Sequence, residues 1–367
     1  MNKNKSIKIL YITSTLKKSG PTNQLLSLIK HLNRKIYKPI ILTLSPEASD
    51  SGMEDFKKNG VILYSLRLSR IKGLFYAKNR LSKLINELKP DIIHTQGIRA
   101  DSLMASCHLN IPWVLTSHNY PIQDYTMKYG KIKGSLISTK HLSSIRKCKN
   151  IIACSRTIGN QLATHGIKSI AIVNGVETDN TGLINKVKGL EEPVFITVGN
   201  LIPRKNTSFV IKAFNIYKES DKKGSLIILG GGVEYNKLKQ LANKNPHIVF
   251  KGMVPDVKHY LFFSNYFISA SLSEGMPYAV LEALSSGLPV ILSDIPSHLE
   301  ISKECTHCCE IFSLSKGIED LIKIMLQVEN VFTKKSREDA LRVINNVFSA
   351  KVMAEKYQNV YSSVVRQ

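Results

Sequence analysis

Two glutamates bracket a short turn in the second half of the sequence. Glu274 precedes Gly275-Met276-Pro277, and Glu282 lies within the helical pattern that follows. At about 1.5 Å of rise per helical residue, the two carboxylates stand about 10 Å apart, roughly the span from a sugar to a ribose. Carboxylates accept paired hydrogen bonds from vicinal hydroxyls, and free N–H groups at a helix start bind phosphate. The spacing favours a site for a sugar joined through phosphates to a nucleoside; a purely electrostatic role at the helix start is the alternative.

A second set of polar residues contains two adjacent cations. Gly199 ends a β-rich run, and Arg204 and Lys205 follow it just before a helical pattern. The planar guanidinium of Arg204 can bind two phosphate oxygens, and the ammonium of Lys205 adds a mobile positive charge. Adjacent cations on a loop are often only solvated. The glutamate motif nearby instead favours a diphosphate site that stabilises a departing anion.

These residues follow short apolar runs that alternate with helical patterns along most of the chain. Runs rich in β-branched residues at such intervals are typical of βαβ units and a parallel sheet. The predicted strands are 7–13, 39–44, 61–66, 91–95, 113–117, 150–154 and 169–173, then 193–199, 225–229, 247–251, 266–271 and 290–293. The predicted helices include 24–32, 81–88 and 335–365. The pattern indicates an α/β fold with doubly wound parallel sheets.

A polar stretch, 177–192, separates the two series of strands. A chain of 367 residues exceeds what one hydrophobic core usually supports. We therefore expect two Rossmann-like domains, 1–180 and 190–345, and a C-terminal helical segment, 346–367, that packs across their boundary. Doubly wound sheets bind ligands beyond the carboxyl ends of their strands, so the domains should face a central cleft. No apolar run approaches the roughly 18–20 residues that cross a bilayer, and the run 7–12 is interpreted as a strand rather than as part of a signal peptide.

The positive charge is concentrated in the first half of the chain. The formal net charge is +23; residues 1–190 contain 30 Lys and Arg against 10 Asp and Glu, and the remainder contains 21 against 18. Such a surface attracts polyanions. Lys131, Lys133, Arg146 and Lys147 surround apolar residues, a pattern that favours docking on an anionic membrane surface. A merely solvated face is the alternative.

The sequence offers no set of metal ligands. The six cysteines are scattered, which suits free thiols in a reducing cytoplasm better than a disulfide framework. Cys305, Cys308 and Cys309 surround His307, but no second ligand pair lies nearby to complete a zinc site. The sequence contains no Asp-x-Asp motif. We expect a cytoplasmic protein that uses no metal or other cofactor and attaches peripherally to the inner face of the cell membrane where its basic surface docks.

The segment 194–300 resembles the retaining group 1, or family 4, glycosyltransferases of the GT-B fold. The motifs that carry the resemblance are Gly199…Arg204-Lys205, Gly230–Gly232, Phe250-Lys251-Gly252 and Glu274…Glu282. The first half matches the family more loosely, through Ser19-Gly20, Asp91…His94 and His118. The resemblance covers most of the chain and implies two Rossmann-like domains in the GT-B arrangement, the first on the acceptor side and the second holding the donor.

The resemblance also implies roles for individual residues. Arg204 and Lys205 would bind the diphosphate of a nucleotide sugar, and Glu282 its ribose. Glu274 and the adjoining backbone would contact the transferred sugar, which His118 would face from the first domain. A histidine after a strand is by itself more often an ordinary core residue. The implied donor-binding residues are Gly20, Gly199, Arg204, Lys205, Met253, Val254, Glu274, Gly275, Met276, Pro277 and Glu282. The implied catalytic residues are His118, Arg204, Lys205 and Glu274.

The reaction implied is transfer of a hexosyl or N-acetylhexosaminyl unit to a hydroxyl acceptor with retention of anomeric configuration. UDP-sugars are the first expectation for the donor and GDP-mannose the second, with a lipid-linked saccharide of cell-surface polysaccharide synthesis as the acceptor. Same-face displacement is favoured because no further carboxylate pair offers a nucleophile. A GT-B sugar-nucleotide epimerase is one alternative. A basic nucleic-acid-binding protein is the alternative of another class, but no nucleic-acid motif supports it.

Overall fold

The structure is a computed structural model that describes residues 6–107, 109–178, 189–243 and 245–366. The chain divides into two compact units: Met1–Gly175 together with Ala350–Gln367, and Val176–Ser349. Each unit contains one sheet of parallel strands with flanking helices. The predicted α/β fold with two Rossmann-like units is therefore confirmed.

The first unit is built on a sheet whose strands are all parallel. Its strands are β1 (Ile7–Thr13), β2 (Tyr37–Thr43), β3 (Ile62–Ser65), β4 (Ile92–Gln96), β5 (Trp113–Ser117), β6 (Asn150–Ala153) and β7 (Ile170–Ala171). Its helices up to this point are α1 (Gly20–Lys30), α2 (Met53–Lys58), α3 (Arg70–Leu88), α4 (Ile98–Ala105), α5 (Pro121–Tyr129), α6 (Lys131–Ile145) and α7 (Arg156–Ala163). The strand order is β3-β2-β1-β4-β5-β6-β7, so the order reverses beside β1.

Strand β1 is covered by apolar residues on both of its faces. Ile9 and Tyr11 belong to one hydrophobic core, whereas Leu10 and Ile12 belong to another. Successive side chains of a strand point to opposite faces, so β1 lies between the two cores. This double burial explains the continuous apolar run that predicted the strand.

The second unit repeats the same plan with a shorter sheet. Its strands are β8 (Val194–Val198), β9 (Ser225–Leu229), β10 (Ile248–Gly252), β11 (Tyr266–Ser269), β12 (Val290–Ser293) and β13 (Cys309–Phe312). Its α-helices are α8 (Thr207–Glu219), α9 (Tyr235–Leu241), α10 (Val257–Phe263), α11 (Tyr278–Ser285), α12 (Pro296–Ser302), α13 (Ile318–Leu326), α14 (Val328–Val331) and α15 (Lys334–Asn346), and Pro203–Lys205 and Leu314–Lys316 are 3-10 helices. The parallel strands follow the order β10-β9-β8-β11-β12-β13.

The last helix, α16 (Ala350–Arg366), belongs to the first unit, where it packs against α1. The unit boundaries at residues 175 and 349 lie near the predicted 180 and 345. Part of the predicted polar linker, 179–188, lies outside the described residues. The structure thus assigns α16 to a core of the first unit.

Three elements differ from the sequence prediction. The predicted helix 81–88 is only the second half of α3, whose first half contains Gly73 and a run of apolar residues that obscure the helical period. The predicted helix 335–365 is broken between α15 and α16, where the Phe348 carbonyl accepts a hydrogen bond from Val176 N–H at 2.8 Å. Strand β13 has no predicted counterpart because it is short and its first three residues are only half-buried. No described helix is long and apolar enough to span a bilayer.

Candidate active site

The predicted residues of the second unit gather at one edge of its sheet. Gly199 follows β8, and the 3-10 helix Pro203–Lys205 comes next. Glu274 lies in the loop between β11 and α11. The carboxyl ends of parallel strands meet at the same edge, which is where doubly wound sheets bind ligands. Topology therefore brings together residues that stand far apart in the sequence.

Two cations and one carboxylate form a compact ion-pair network at this edge. Lys205 Nζ lies 2.6 Å from Glu274 Oε1, and Arg204 Nη1 lies 2.9 Å from Glu274 Oε2. Arg204 Nη1 also donates to the Ser273 carbonyl at 2.6 Å, and Leu272 N–H donates to the Arg204 carbonyl at 2.8 Å. The exposed fractions of the Arg204 and Lys205 side chains are 25% and 19%, so both remain reachable from solvent. We call Arg204, Lys205 and Glu274 the glutamate–cation network.

The charge state of Glu274 follows from these partners. Burial alone would raise its pKa, but the nearby charges of Lys205 and Arg204 outweigh burial and lower the pKa to about 2. The carboxyl is therefore ionised throughout the neutral pH range. The network contains two cations and one carboxylate, and adjacent cations of this kind suit an anion such as a phosphate.

A layer of neutral polar groups supports the carboxylate from behind. Ser271 Oγ donates to Glu274 Oε1 at 2.9 Å, and Ser293 Oγ donates to the Ser271 carbonyl at 2.7 Å. His298 is fully buried, with Nδ1 at 3.0 Å from the Ser293 carbonyl and Nε2 at 3.4 Å from Ser269 Oγ. A carbonyl only accepts, so Nδ1 carries the proton. Burial lowers the pKa of His298 to about 4, and the ring is neutral.

The sequence did not predict this supporting layer. The sequence did contain a signal for the two serines. Ser271 lies just beyond the end of β11 and Ser293 at the end of β12, and doubly wound sheets bind ligands at these carboxyl ends. The hydrogen bonds themselves join the end of β11 and the segment after it to the end of β12 and the segment after it, so a local sequence pattern does not reveal them.

Two glycines of the predicted motifs are explained by close approach. A Cβ at Gly199 would lie 3.3 Å from Lys205 Cε, so the missing side chain makes room for the lysine stem on its way to Glu274. A Cβ at Gly230 would lie 1.8 Å from the Gly199 carbonyl oxygen, a distance no side chain tolerates. These glycines let the loops after β8 and β9 pack backbone against backbone, which positions Lys205.

Glu282 is held differently from Glu274. It lies on α11, and burial raises its pKa to about 7 despite the opposing charges of Lys258 and Lys205. Within the described residues, its carboxylate accepts no hydrogen bond. A carboxylate whose hydrogen-bonding capacity is unused within the protein can bind ligand hydroxyls, as the ribose role requires.

The remaining predicted residues of the second unit flank the network. Gly275, Met276 and Pro277 are buried in the turn before α11, and Pro277 is its N-cap rather than part of its first turn. Met253 and Val254 follow β10, with Met253 75% exposed. An exposed side chain after a strand end is compatible with the donor-binding role implied for this loop.

Two predicted residues lie in the first unit. Gly20 begins α1, after the N-cap Ser19. His118 follows β5; its Nε2 is buried and has no hydrogen-bond partner among the described residues. Burial lowers the pKa of His118 to about 4, so the ring is neutral. An unpaired ring nitrogen at the carboxyl edge of a sheet is a group that a ligand hydroxyl could satisfy.

Two family models match the chain. The model described as Glycosyltransferase Family 4 matches residues 18–180, and the one described as Glycosyl transferases group 1 matches residues 183–339. The two matched ranges do not overlap, and together they span most of the chain. The chain belongs to the group 1 glycosyltransferases and has the GT-B fold.

Named relatives agree with this assignment. The chain is 26% identical to the O-antigen biosynthesis glycosyltransferase WclY of Escherichia coli, over 98% of this chain and 99% of WclY. It is 26% identical to an E. coli UDP-Gal:alpha-D-GlcNAc-diphosphoundecaprenol alpha-1,3-galactosyltransferase, over 78% of each chain. The crystal structure of Anabaena HepE with UDP-glucose matches with a TM-score of 0.78 at 15% identity, covering 97% of this chain and 100% of HepE. At that identity the structural match concerns the fold.

Proposed function

We propose that this glycosyltransferase moves a hexosyl or N-acetylhexosaminyl unit from a nucleotide sugar to a hydroxyl acceptor, with retention of anomeric configuration. The observation that carries the proposal is the glutamate–cation network, which places two cations and one carboxylate at the carboxyl edge of the second sheet. Two cations side by side suit the two phosphates of a diphosphate. As the bond between the sugar and the diphosphate breaks, negative charge builds on the diphosphate. Arg204 and Lys205 therefore bind the transition state more tightly than the ground state.

The state of Glu274 supports displacement on one face of the sugar. A carboxylate held by two cations, with a pKa of about 2, is a poor nucleophile and a poor base. Its suitable task is to accept hydrogen bonds from sugar hydroxyls. The departing diphosphate oxygen then takes the proton of the attacking hydroxyl, and the bond to the acceptor forms on the face that the leaving group vacates. His118, neutral and unpaired, would orient the sugar.

The donor and acceptor are proposed from the relatives. UDP-sugars come first, because the E. coli galactosyltransferase is named for UDP-Gal and HepE is bound to UDP-glucose, and GDP-mannose comes second. The galactosyltransferase is also named for a diphosphoundecaprenol-linked acceptor, and WclY for O-antigen biosynthesis. We therefore propose a lipid-linked saccharide acceptor in cell-surface polysaccharide synthesis, at the inner face of the cell membrane.

An anionic membrane surface is the proposed partner of helices α5 and α6. Lys131, Lys133 and Lys140 are exposed there, as are Ile132 at 83% and Leu136 at 70%. Four or five cations near an anionic surface contribute about 1 kcal/mol each at moderate ionic strength. Salt-sensitive sedimentation with anionic but not zwitterionic vesicles is the expected result.

Two of the cations first proposed for docking have structural contacts instead. Arg146 Nη2 donates to the His165 carbonyl at 3.2 Å, and Lys147 Nζ donates to the Ala105 carbonyl at 3.3 Å. Replacing them with glutamate would disturb these contacts as well as the charge. A better docking variant changes only Lys128, Lys131, Lys133 and Lys140.

A donor panel tests the proposal most directly. Thermal shifts with UDP-sugars, GDP-mannose and free nucleotides identify the donor, because a ligand at 100 times its dissociation constant adds about 2.7 kcal/mol of stability. Transfer to a diphosphate-linked acceptor should then proceed in the presence of a chelator, and NMR should show the donor's anomeric configuration in the product. A product with inverted anomeric configuration would refute retention. Loss of activity with the chelator would refute metal independence. A rearranged sugar nucleotide formed without acceptor would indicate an epimerase.

A further inference from the structure

Helix α3 has two halves with opposite surroundings. In its second half Leu81 and Ile85 are buried in a core of the first unit. In its first half Ile71 is 73% exposed, Leu74 79% and Phe75 72%. Single exposed apolar residues are ordinary, but large ones clustered within two helical turns form a patch that soluble surfaces usually avoid.

The exposed residues form one stripe on an ordered helix. Ile71, Leu74 and Phe75 follow the spacing i, i+3, i+4, which places them on a single face. The start of the helix is closed by Ser69, whose Oγ accepts from Lys72 N–H at 3.3 Å and whose carbonyl accepts from Gly73 N–H at 2.8 Å. We call Ile71, Leu74 and Phe75 the α3 stripe; its side chains are presented by a formed helix rather than by a loop.

Positive charge surrounds the α3 stripe. Residues 67–80 contain five Lys and Arg and no Asp or Glu. From α4, Arg99 reaches the same place: its Nη2 would lie 3.2 Å from a Cβ at Gly73, and its Nη1 donates to Ser45 Oγ. In the described part of the chain, no carboxylate pairs with Arg70, Lys72 or Arg99. A second copy of so basic a stripe would be repelled, so the fitting partner is both apolar and anionic.

We propose that the first two turns of α3 insert into the boundary between head groups and acyl chains of an anionic bilayer. The α3 stripe enters the acyl region while Arg70, Lys72 and Arg99 contact lipid phosphates. The proposal rests on the membrane partner suggested above and adds an apolar contact, which salt does not screen, to the charge of α5 and α6. Because α3 follows β3 and His118 follows β5 in one parallel sheet, docking would turn the carboxyl edge that carries His118 toward the membrane.

Tryptophan quenching tests the insertion at one residue. In Phe75→Trp, vesicles of phosphatidylglycerol and phosphatidylcholine with brominated acyl chains should quench and blue-shift the added fluorescence. Tyr64→Trp is the matched control, on β3 of the same unit and outside the stripe. Wild-type protein supplies the baseline of Trp113, whose Nε1 donates to Thr95 Oγ1 at 2.9 Å. Equal quenching at both positions, or none at either, would overturn the proposal.

Partitioning at high salt tests the apolar contribution. The double variant Leu74→Ser/Phe75→Ser should bind anionic vesicles at least about tenfold more weakly than wild type when charge is screened, because burying each side chain favours the membrane. Ile62→Ser, which removes another exposed apolar residue of the first unit, should leave partitioning unchanged. Unchanged binding by the double variant, or a lipid-free dimer that it abolishes, would contradict insertion.

A soluble acceptor separates this proposal from the proposed reaction. The double variant should transfer sugar to a water-soluble acceptor at the wild-type rate and lose rate only when the acceptor is carried in vesicles. Loss of rate with both acceptors would show that the stripe serves the fold or the reaction instead. If wild type transfers no sugar from any donor, the proposed reaction fails, whereas the quenching result still decides the membrane contact.

Discussion

Each unit contains a polar network, but one is neutral and lies inside the packing of its sheet, whereas the other is charged and lies beyond the strand ends. The neutral network joins Tyr11, His94, Thr116, Tyr357 and Tyr361, all of which are buried. The charged one is the glutamate–cation network of the second unit. The two networks differ in composition: the first consists of uncharged groups that bond to one another, whereas the second combines two cations with one carboxylate.

The neutral network fastens α16 to the first sheet. His94 Nδ1 lies 2.7 Å from Tyr361 Oη and its Nε2 lies 2.8 Å from Thr116 Oγ1, so both ring nitrogens are satisfied. Tyr361 Oη also lies 3.1 Å from Tyr11 Oη. Burial lowers the pKa of His94 to about 3, which keeps the ring uncharged. A buried network in which every member has a partner stabilises and specifies packing.

The largest expected effect is on turnover. Arg204→Ala and Lys205→Ala should each reduce kcat at least about 10²-fold, because each removes a charge-assisted contact that strengthens as the leaving group departs. Lys212→Ala, an exposed lysine on α8, is the control and should leave kcat unchanged. Steady-state kinetics with the identified donor give the answer. Near-wild-type turnover in both variants would mean that the charged network is structural like its neutral counterpart.

The next effect is on stability in the first unit. Tyr361→Phe removes a hydroxyl that bonds two buried partners and should lower the free energy of unfolding by about 1–3 kcal/mol, measured by urea denaturation. The kcat of the folded variant should stay at the wild-type value. Tyr64→Phe, at an exposed position, serves as the control. A fall in kcat without a fall in stability would erase the distinction between the two networks.

A smaller effect separates the two glutamates. Glu274→Ala and His118→Ala should chiefly lower kcat, whereas Glu282→Ala should chiefly weaken donor binding, each by about tenfold or more. The physical reason is that Glu274 and His118 are assigned to the sugar, where bonds change, and Glu282 to the ribose, where they do not. Donor titration by calorimetry, alongside kinetics, measures both quantities. The opposite partition would reverse the sugar and ribose ends.

The smallest effect is on the pH dependence of stability. With its folded pKa near 7, above the ordinary value, Glu282 holds a proton in the folded state that it lacks in the unfolded state at pH 5–7. Stability therefore falls as pH rises through this range. The Tm of Glu282→Gln minus that of wild type should therefore increase as the pH rises from 5 to 8. Glu219→Gln, at an exposed position, is the control and should show no such trend. If the Tm values of Glu282→Gln and wild type change in parallel with pH, the Glu282 carboxyl is exposed to solvent in the folded protein.

The fold followed from the sequence because its signals are local. Apolar runs of strand length, separated by helical patterns, predicted parallel sheets in two units, and four predicted strands coincide with β1, β5, β9 and β12 at both ends. Glycine turns and adjacent charges similarly marked the loops after β8 and β11. These features depend on neighbours along the chain, so one sequence suffices to find them.

The tertiary structure decided which distant groups meet. It paired Lys205 with Glu274, placed His298 behind them, and returned α16 to the first sheet through Tyr361. It also shows that the first half of α3 is exposed to solvent. From composition alone, the apolar residues of this half could equally well belong to a hydrophobic core. Burial and hydrogen bonding between residues far apart depend on how elements pack, and packing has no period along the chain.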